Sequence, residues 1–159
     1  MGALLADRML ERLARRLRLM GYDVEMKPEG VKSLREVVVR AEREGRLIVT
    51  TSERLGAYAP ALTILVSPGD LAEQLEKVVR HCRIDFAGRA FRRCSRDNAL
   101  LEGVAFEEAA WALPPKVRQM GPMPVRRCPR CRRLYWPGTH VARIIEATRR
   151  ATGVDLAPE

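Results

Sequence analysis

Cys128 and Cys131 stand at a CPxC spacing in Arg127-Cys128-Pro129-Arg130-Cys131-Arg132-Arg133, where one tight turn aims both sulfurs at a single point. Two thiolates so placed grip a metal ion. Some thirty residues upstream, Cys94-Ser95-Arg96-Asp97 offers a third sulfur and a carboxylate. Zinc is the ion that such a set suits, as a structural Cys3Asp site with Asp97 as fourth ligand. His140 is the alternative fourth ligand. A plainer reading stays open: three cysteines buried as small apolar groups without metal. Nothing at the N-terminus reads as a secretory signal, which favours metal over disulfides among the four cysteines and points to a cytoplasmic protein.

Around this turn the chemistry is cationic. Arg126, Arg127, Arg130, Arg132 and Arg133 flank one cysteine pair, and Arg89, Arg92, Arg93 and Arg96 flank Cys94. A metal joining the arms would gather these guanidinium groups on one small surface, suited to bidentate phosphate contact and stacking on bases. Tyr135 and Trp136 follow directly and supply candidate stacking faces, and His140 a hydrogen bond to phosphate. Trp136 has a second role open to it, packing the metal-tied unit against the rest of the chain.

A third set is acidic. Asp7, Glu36, Glu53 and Asp70 fall near the ends of expected strands or the start of a helix. Carboxylates converging there could hold Mg²⁺ or Mn²⁺ and activate water on a phosphodiester. Each also has a bland role. Asp7 can cap a helix, Glu36 can complete a capping box with Ser33, and Glu53 can be solvated.

The elements that must position these residues are legible in the apolar pattern. Gly2–Ala6 reads as a buried strand. Leu10, Leu13, Leu17 and Met20 recur at helical spacing, with Arg12, Arg15, Arg16 and Arg18 largely on the opposite face, until Gly21 stops the helix. Tyr22–Met26, Leu47–Thr50 and Leu62–Val66 are further strands. Ser33 opens a helix that turns Leu34, Val37, Val38 and Ala41 inward and ends near Gly45, and Leu71–Cys82 is another. Short apolar strands between amphipathic helices predict an α/β fold, a parallel sheet with helices on both faces. Beyond Ile84 the alternation stops. Short helices are expected over Phe106–Trp111 and from Pro114 to Met120, a closing helix over Val141–Thr152, and a frayed tail from Gly153. The chain therefore divides into an α/β domain over 1–88 and a small, basic, metal-tied module over 89–159.

Charge follows the same division. The chain of 159 residues carries a net +9, yet residues 1–88 hold 15 Lys and Arg against 13 Asp and Glu, whereas 89–159 hold 14 against 7. A concentrated positive field draws polyanions. No apolar run is long enough to span a bilayer, so no membrane partner is expected.

The blocks ADRMLERLARRLRLMGYDV, AEREGRLIVTTSERL, EQLEKVV, RRCSRDNALLEGV, ALPPKV and CPRCRRLYWPGTH occur in that order over roughly residues 1–145. Together they resemble the mut-seven C-terminal ribonuclease family. The resemblance implies a PIN-like nuclease domain joined to a zinc ribbon. It also implies a departure from the family's chemistry. Asp7 matches the first family acid and Asp70 a later one. Leu34 stands where the second is expected, and Ser52 closes what should be a Thr-x-Asp motif, with Glu36 and Glu53 nearby. Asp97 replaces the second cysteine of the first ribbon pair, and Asn98 after it is retained. The expectation is an RNA-binding protein on a PIN-like scaffold with a degenerate acidic centre, with a ribonucleoprotein or the ribosome as a natural home. The alternative is an active Mg²⁺- or Mn²⁺-dependent ribonuclease.

Overall fold

Four short apolar strands alternate with helices in the first half of the computed structural model, which describes residues 3–30, 33–82 and 89–156. Gly2, Ile84 and the boundary expected at residue 88 lie outside the described residues. Strand β1 (Ala3–Ala6) pairs in parallel with β2 (Val24–Met26) on one side and β3 (Arg46–Thr50) on the other, and β3 pairs with β4 (Thr63–Leu65). The order is β2-β1-β3-β4. The chain leaves β1 in one direction, then reverses across it, so right-handed connections put the helix after β1 and the helix after β2 on opposite faces.

Side chains alternate accordingly. Leu4 and Ala6 face Leu13 and Leu17 of α1 (Glu11–Leu19) and Leu75 and Val78 of α4 (Leu71–Cys82). Leu5 and Ile48 face Val37 and Ala41 of α2 (Leu34–Glu44) and Leu55 of α3 (Glu53–Tyr58). Each fully buried leucine contributes roughly 1.5–3 kcal/mol relative to exposure. The expected α/β sandwich is thus formed.

Several local expectations are corrected. Arg18 was placed on the solvent face of α1, but it is buried. Its spacing of four from Ala14 puts it on the inward stripe, and backbone acceptors described below take its charge. Asp7 precedes a single 3-10 turn (Arg8–Leu10) and Ser33 precedes α2, yet neither side chain makes a capping hydrogen bond. The short α3, opened by Ser52, has Leu55 as its one buried residue, too little to show a period.

Gly21 ends α1 at φ 99°, where the backbone passes so close to Arg89 that an added Cβ would lie 2.6 Å from its carbonyl oxygen. The second half then builds an antiparallel sheet, β5 (Glu102–Val104), β6 (Val125–Arg127) and β7 (Leu134–Tyr135), in that order. Short helices α5 (Phe106–Ala109) and α6 (Pro115–Arg118) lie between β5 and β6. Helix α7 (Thr139–Thr152) returns to lie against α4, bringing Ile145 to the main core. The tail expected to fray is instead folded back. Gly153 adopts a left-handed turn and Leu156 inserts into the core at 1% exposure. Among the described residues no helix is long and apolar enough to cross a membrane.

Candidate functional site

Two turns of the same design carry the cysteines. In the first, the Cys94 N–H donates to Ala99 O at 2.8 Å and the Asn98 N–H to Cys94 O at 3.0 Å. In the second, the Cys128 N–H donates to Arg133 O at 3.0 Å and the Arg132 N–H to Cys128 O at 3.0 Å. The fifth residue of each, Asn98 and Arg132, is left-handed at φ 61° and 62°. Asparagine tolerates this conformation; an arginine there is held by the turn. Asp97 therefore occupies in the first turn the position that Cys131 occupies in the second.

The turns face each other. Cys94 Sγ lies 3.7 Å from Cys131 Sγ and 3.7 Å from Asp97 Oδ2, which is 3.5 Å from Cys128 Sγ. One donor atom from each of the four falls within 4.8 Å of every other, a set that could hold a metal ion. His140 stands outside this group. Cys94 and Cys128 are buried, Asp97 and Cys131 half-buried. Burial opposes ionisation of Cys94, but the Tyr135 hydroxyl and the N–H groups of Asp97 and Arg96 hold its pKa below the ordinary thiol value. Asp97 is held low by hydrogen bonding to Cys131, against a smaller effect of burial. Burial and the bond to Asp97 push Cys131 up to about 12.

The first turn is also bolted to the parallel sheet. Asn98, 4% exposed, accepts from the Val24 N–H at 3.0 Å and donates to Asp23 at 2.7 Å and Glu25 at 3.1 Å. Arg18 donates to Val24 O at 2.8 Å, Ser95 O at 3.1 Å and Arg96 O at 2.7 Å. The outer backbone groups of Val24, an edge position, are therefore satisfied by the cysteine turn and α1. Asp23 also pairs with Arg46 at 2.8 Å and Arg93 at 3.8 Å. Sequence reading left out Arg18, Asp23 and Arg46. Polar residues inside an apolar helical stripe and at a strand end were the available signal.

The arginines separate by strand alternation. Arg127 on β6 points to Glu108, 2.8 Å away. Its neighbour Arg126 is the cross-strand partner of Tyr135, so the two share the opposite face. Arg93 is engaged by Asn98 O at 2.8 Å as well as by Asp23. Among the described residues, Arg126, Arg130, Arg132 and Arg133 take no carboxylate partner at ion-pair distance. Arg96 is exposed beside Asp97, and Arg89 and Arg92 flank the chain entering the first turn. Tyr135 turns its hydroxyl toward Cys94 and the Ser95 N–H, each at 3.1 Å. Trp136 packs on the apolar cluster of Ala109, Leu113 and Val125, with the His140 ring edge-on at 6.0 Å.

The acids are distributed differently. Asp7 follows β1 and accepts a hydrogen bond from the hydroxyl of Thr50, at the end of β3. This is the point where strand order reverses, the usual ligand crevice of an open parallel sheet. Ser52 caps α3 through the Leu55 N–H at 3.3 Å. Glu53 and Glu36 are exposed, while Leu34 is half-buried against the Leu5–Val37 cluster. Asp70 accepts from the Ala72 N–H at 2.5 Å, at the start of α4. Among the described residues the acids do not form a group of three converging donors; the cysteine cluster does.

No curated protein and no solved structure matches the chain. A family model does, over residues 3–148, running from β1 through the acidic edge and both cysteine turns into α7. The chain belongs to the family of the Mut7-C RNAse domain, a ribonuclease-like fold with an RNA-related role.

Proposed function

We propose that this protein binds RNA through its cysteine-turn module, on a PIN-like ribonuclease scaffold whose acidic centre is degenerate. The observation that carries this reading is the set Arg126, Arg130, Arg132 and Arg133, which have no carboxylate partner among the described residues; Arg130, Arg132 and Arg133 lie on the second cysteine turn and Arg126 on the strand that leads into it. Guanidinium groups without internal partners are available to phosphate oxygens.

The ion that fits the cluster is Zn²⁺. A tetrahedron with zinc–sulfur bonds of about 2.3 Å and a zinc–oxygen bond of about 2.0 Å has sulfur–sulfur edges of about 3.8 Å and sulfur–oxygen edges of about 3.5 Å. The separations of 3.7, 3.7 and 3.5 Å match these edges. Cys94, Cys128, Cys131 and Asp97 would hold the ion, whose contribution is to fix both turns and the arginines they carry. Three thiolates and a carboxylate leave the centre formally anionic, and buried Arg18 lies where its charge offsets this.

The acidic edge does not fit Mg²⁺ or Mn²⁺ in the same way. Asp7 is engaged at the strand-order reversal, no three acids converge there among the described residues, and leucine and serine stand at two positions where the family resemblance calls for acids. A hard divalent ion needs several oxygen ligands, so no hydrolytic step is derived through it. Association with a ribonucleoprotein, the ribosome included, would use the same cationic face.

Titration with a fluorescent RNA tests the binding. Four phosphate contacts predict a log affinity against log salt slope of roughly −3. Reversing Arg130, Arg132 and Arg133 to glutamate is expected to flatten that slope. Affinity independent of salt, or no binding at low salt, refutes the reading.

A further inference from the structure

Between the antiparallel sheet and α7 lies a cleft of about 360 Å³, of whose lining the reading above uses only Arg126 and Arg133. Phe91, Trp136 and Ile144 line it with half-buried apolar surface, and Arg126, Arg133 and His140 are among its polar groups. Two local features build it. The register that opposes Arg126 to Tyr135 puts both on the cleft side of the sheet, away from the Arg127–Glu108 pair. The Pro137-Gly138 turn then carries the chain into α7 so tightly that a Cβ on Gly138 would come 3.1 Å from His140 Nδ1 and 3.5 Å from Trp136 Nε1. The tryptophan and the histidine are thereby held edge to face in the cleft wall.

We infer that this cleft is the site for one unpaired RNA nucleotide, its base entering between Trp136 and the apolar wall and its phosphates lying on Arg126 and Arg133. The inference rests on the RNA-binding reading and narrows it to single strands. Charge complementarity selects the occupant. An apolar peptide would leave two guanidinium groups unmatched, whereas a nucleotide offers a flat π-face and an adjacent anion. The unpartnered Arg130 and Arg132 continue the cationic surface, so neighbouring phosphates are met as well. A base inside a duplex is stacked and paired, and reaches such a cleft only by flipping out.

The test uses the full chain with Trp111→Phe, which removes the exposed second tryptophan and leaves Trp136 as the fluorophore. A ten-nucleotide single strand and a blunt duplex of the same sequence are titrated at equal salt. The single strand is expected to bind on the order of tenfold more tightly and to quench Trp136. Trp136→Leu, which keeps an apolar side chain at the packing position, should weaken single-strand binding several-fold and leave duplex binding unchanged. Arg133→Gln supplies a second variant at an exposed site; it removes one phosphate contact for either RNA and should weaken the single strand by a larger factor than the duplex. Equal affinities with no quenching, or equal losses for both RNAs, overturn the inference while the RNA-binding reading stands. Absence of binding by either RNA at low salt overturns both. A protein that co-purifies on the cleft and shields Trp136 from RNA would also overturn the inference.

Discussion

Asp23 sits between Arg46, Arg93 and the side-chain amide of Asn98, so its ionisation is part of the junction between sheet and cysteine turn. Burial opposes its charge, but hydrogen bonds from Arg46 and Asn98 and the two guanidinium charges hold its pKa below the usual carboxylate value. A depressed folded pKa contributes stability that is present above the unfolded value, about 3.9, and is lost as pH falls through the folded one. Melting temperature should therefore fall below about pH 4 more steeply in the wild type than in Asp23→Asn, which should already be less stable at pH 7. Parallel pH curves would show that Asp23 contributes nothing to acid sensitivity. At this scale the sequence exposed the donors whose spacing is short. Cys94, Asp97, Cys128 and Cys131 were readable because each pair lies within one turn. Arg18 and Asp23 were not, because their partners lie across the chain: Arg18 bonds Ser95 and Arg96 more than seventy residues away.

The elements divide in the same manner. Helices α1, α2 and α4 were legible because each has enough buried positions to show a period, and strands β1, β3 and β4 because each is a short apolar run. Helix α3 has one, Leu55, and escaped notice. The capping bonds expected at Asp7 and Ser33 are absent, and Asp7 is engaged by Thr50 instead. The return of Leu156 to the core depends on a helix packing, α7 on α4, that no local signal announces. The two cysteine turns make a mechanical prediction. The first turn satisfies the edge of β2 through Asn98 and Arg18, so loosening it removes several buried hydrogen bonds, each costing about 1–3 kcal/mol when broken. With zinc held by the cluster as proposed, chelation, or Cys94→Ser, should lower the melting temperature by at least about 5 °C. An unchanged transition, with no metal in the purified protein, would mean that the cysteines act only as buried apolar groups.

Across the whole molecule, two candidate surfaces stand apart in chemical character. One is the strand-order reversal, where Asp7 meets the Thr50 hydroxyl and Ser52 caps a helix. The other is the cationic module with its cleft against α7. The α/β alternation and the family blocks were readable along the chain, and the match over residues 3–148 bears out that resemblance. The cleft was not readable, because it forms between β7 and a helix that begins four residues later and is walled by Phe91, which precedes the first cysteine turn. On the proposed function the second surface binds RNA and the first does not cleave it. Incubating end-labelled single-stranded RNA with the protein and Mn²⁺, while following binding at the same concentrations, measures both together. The account predicts RNA that is bound and intact. Metal-dependent cleavage that Asp7→Asn abolishes without loss of affinity would contradict it.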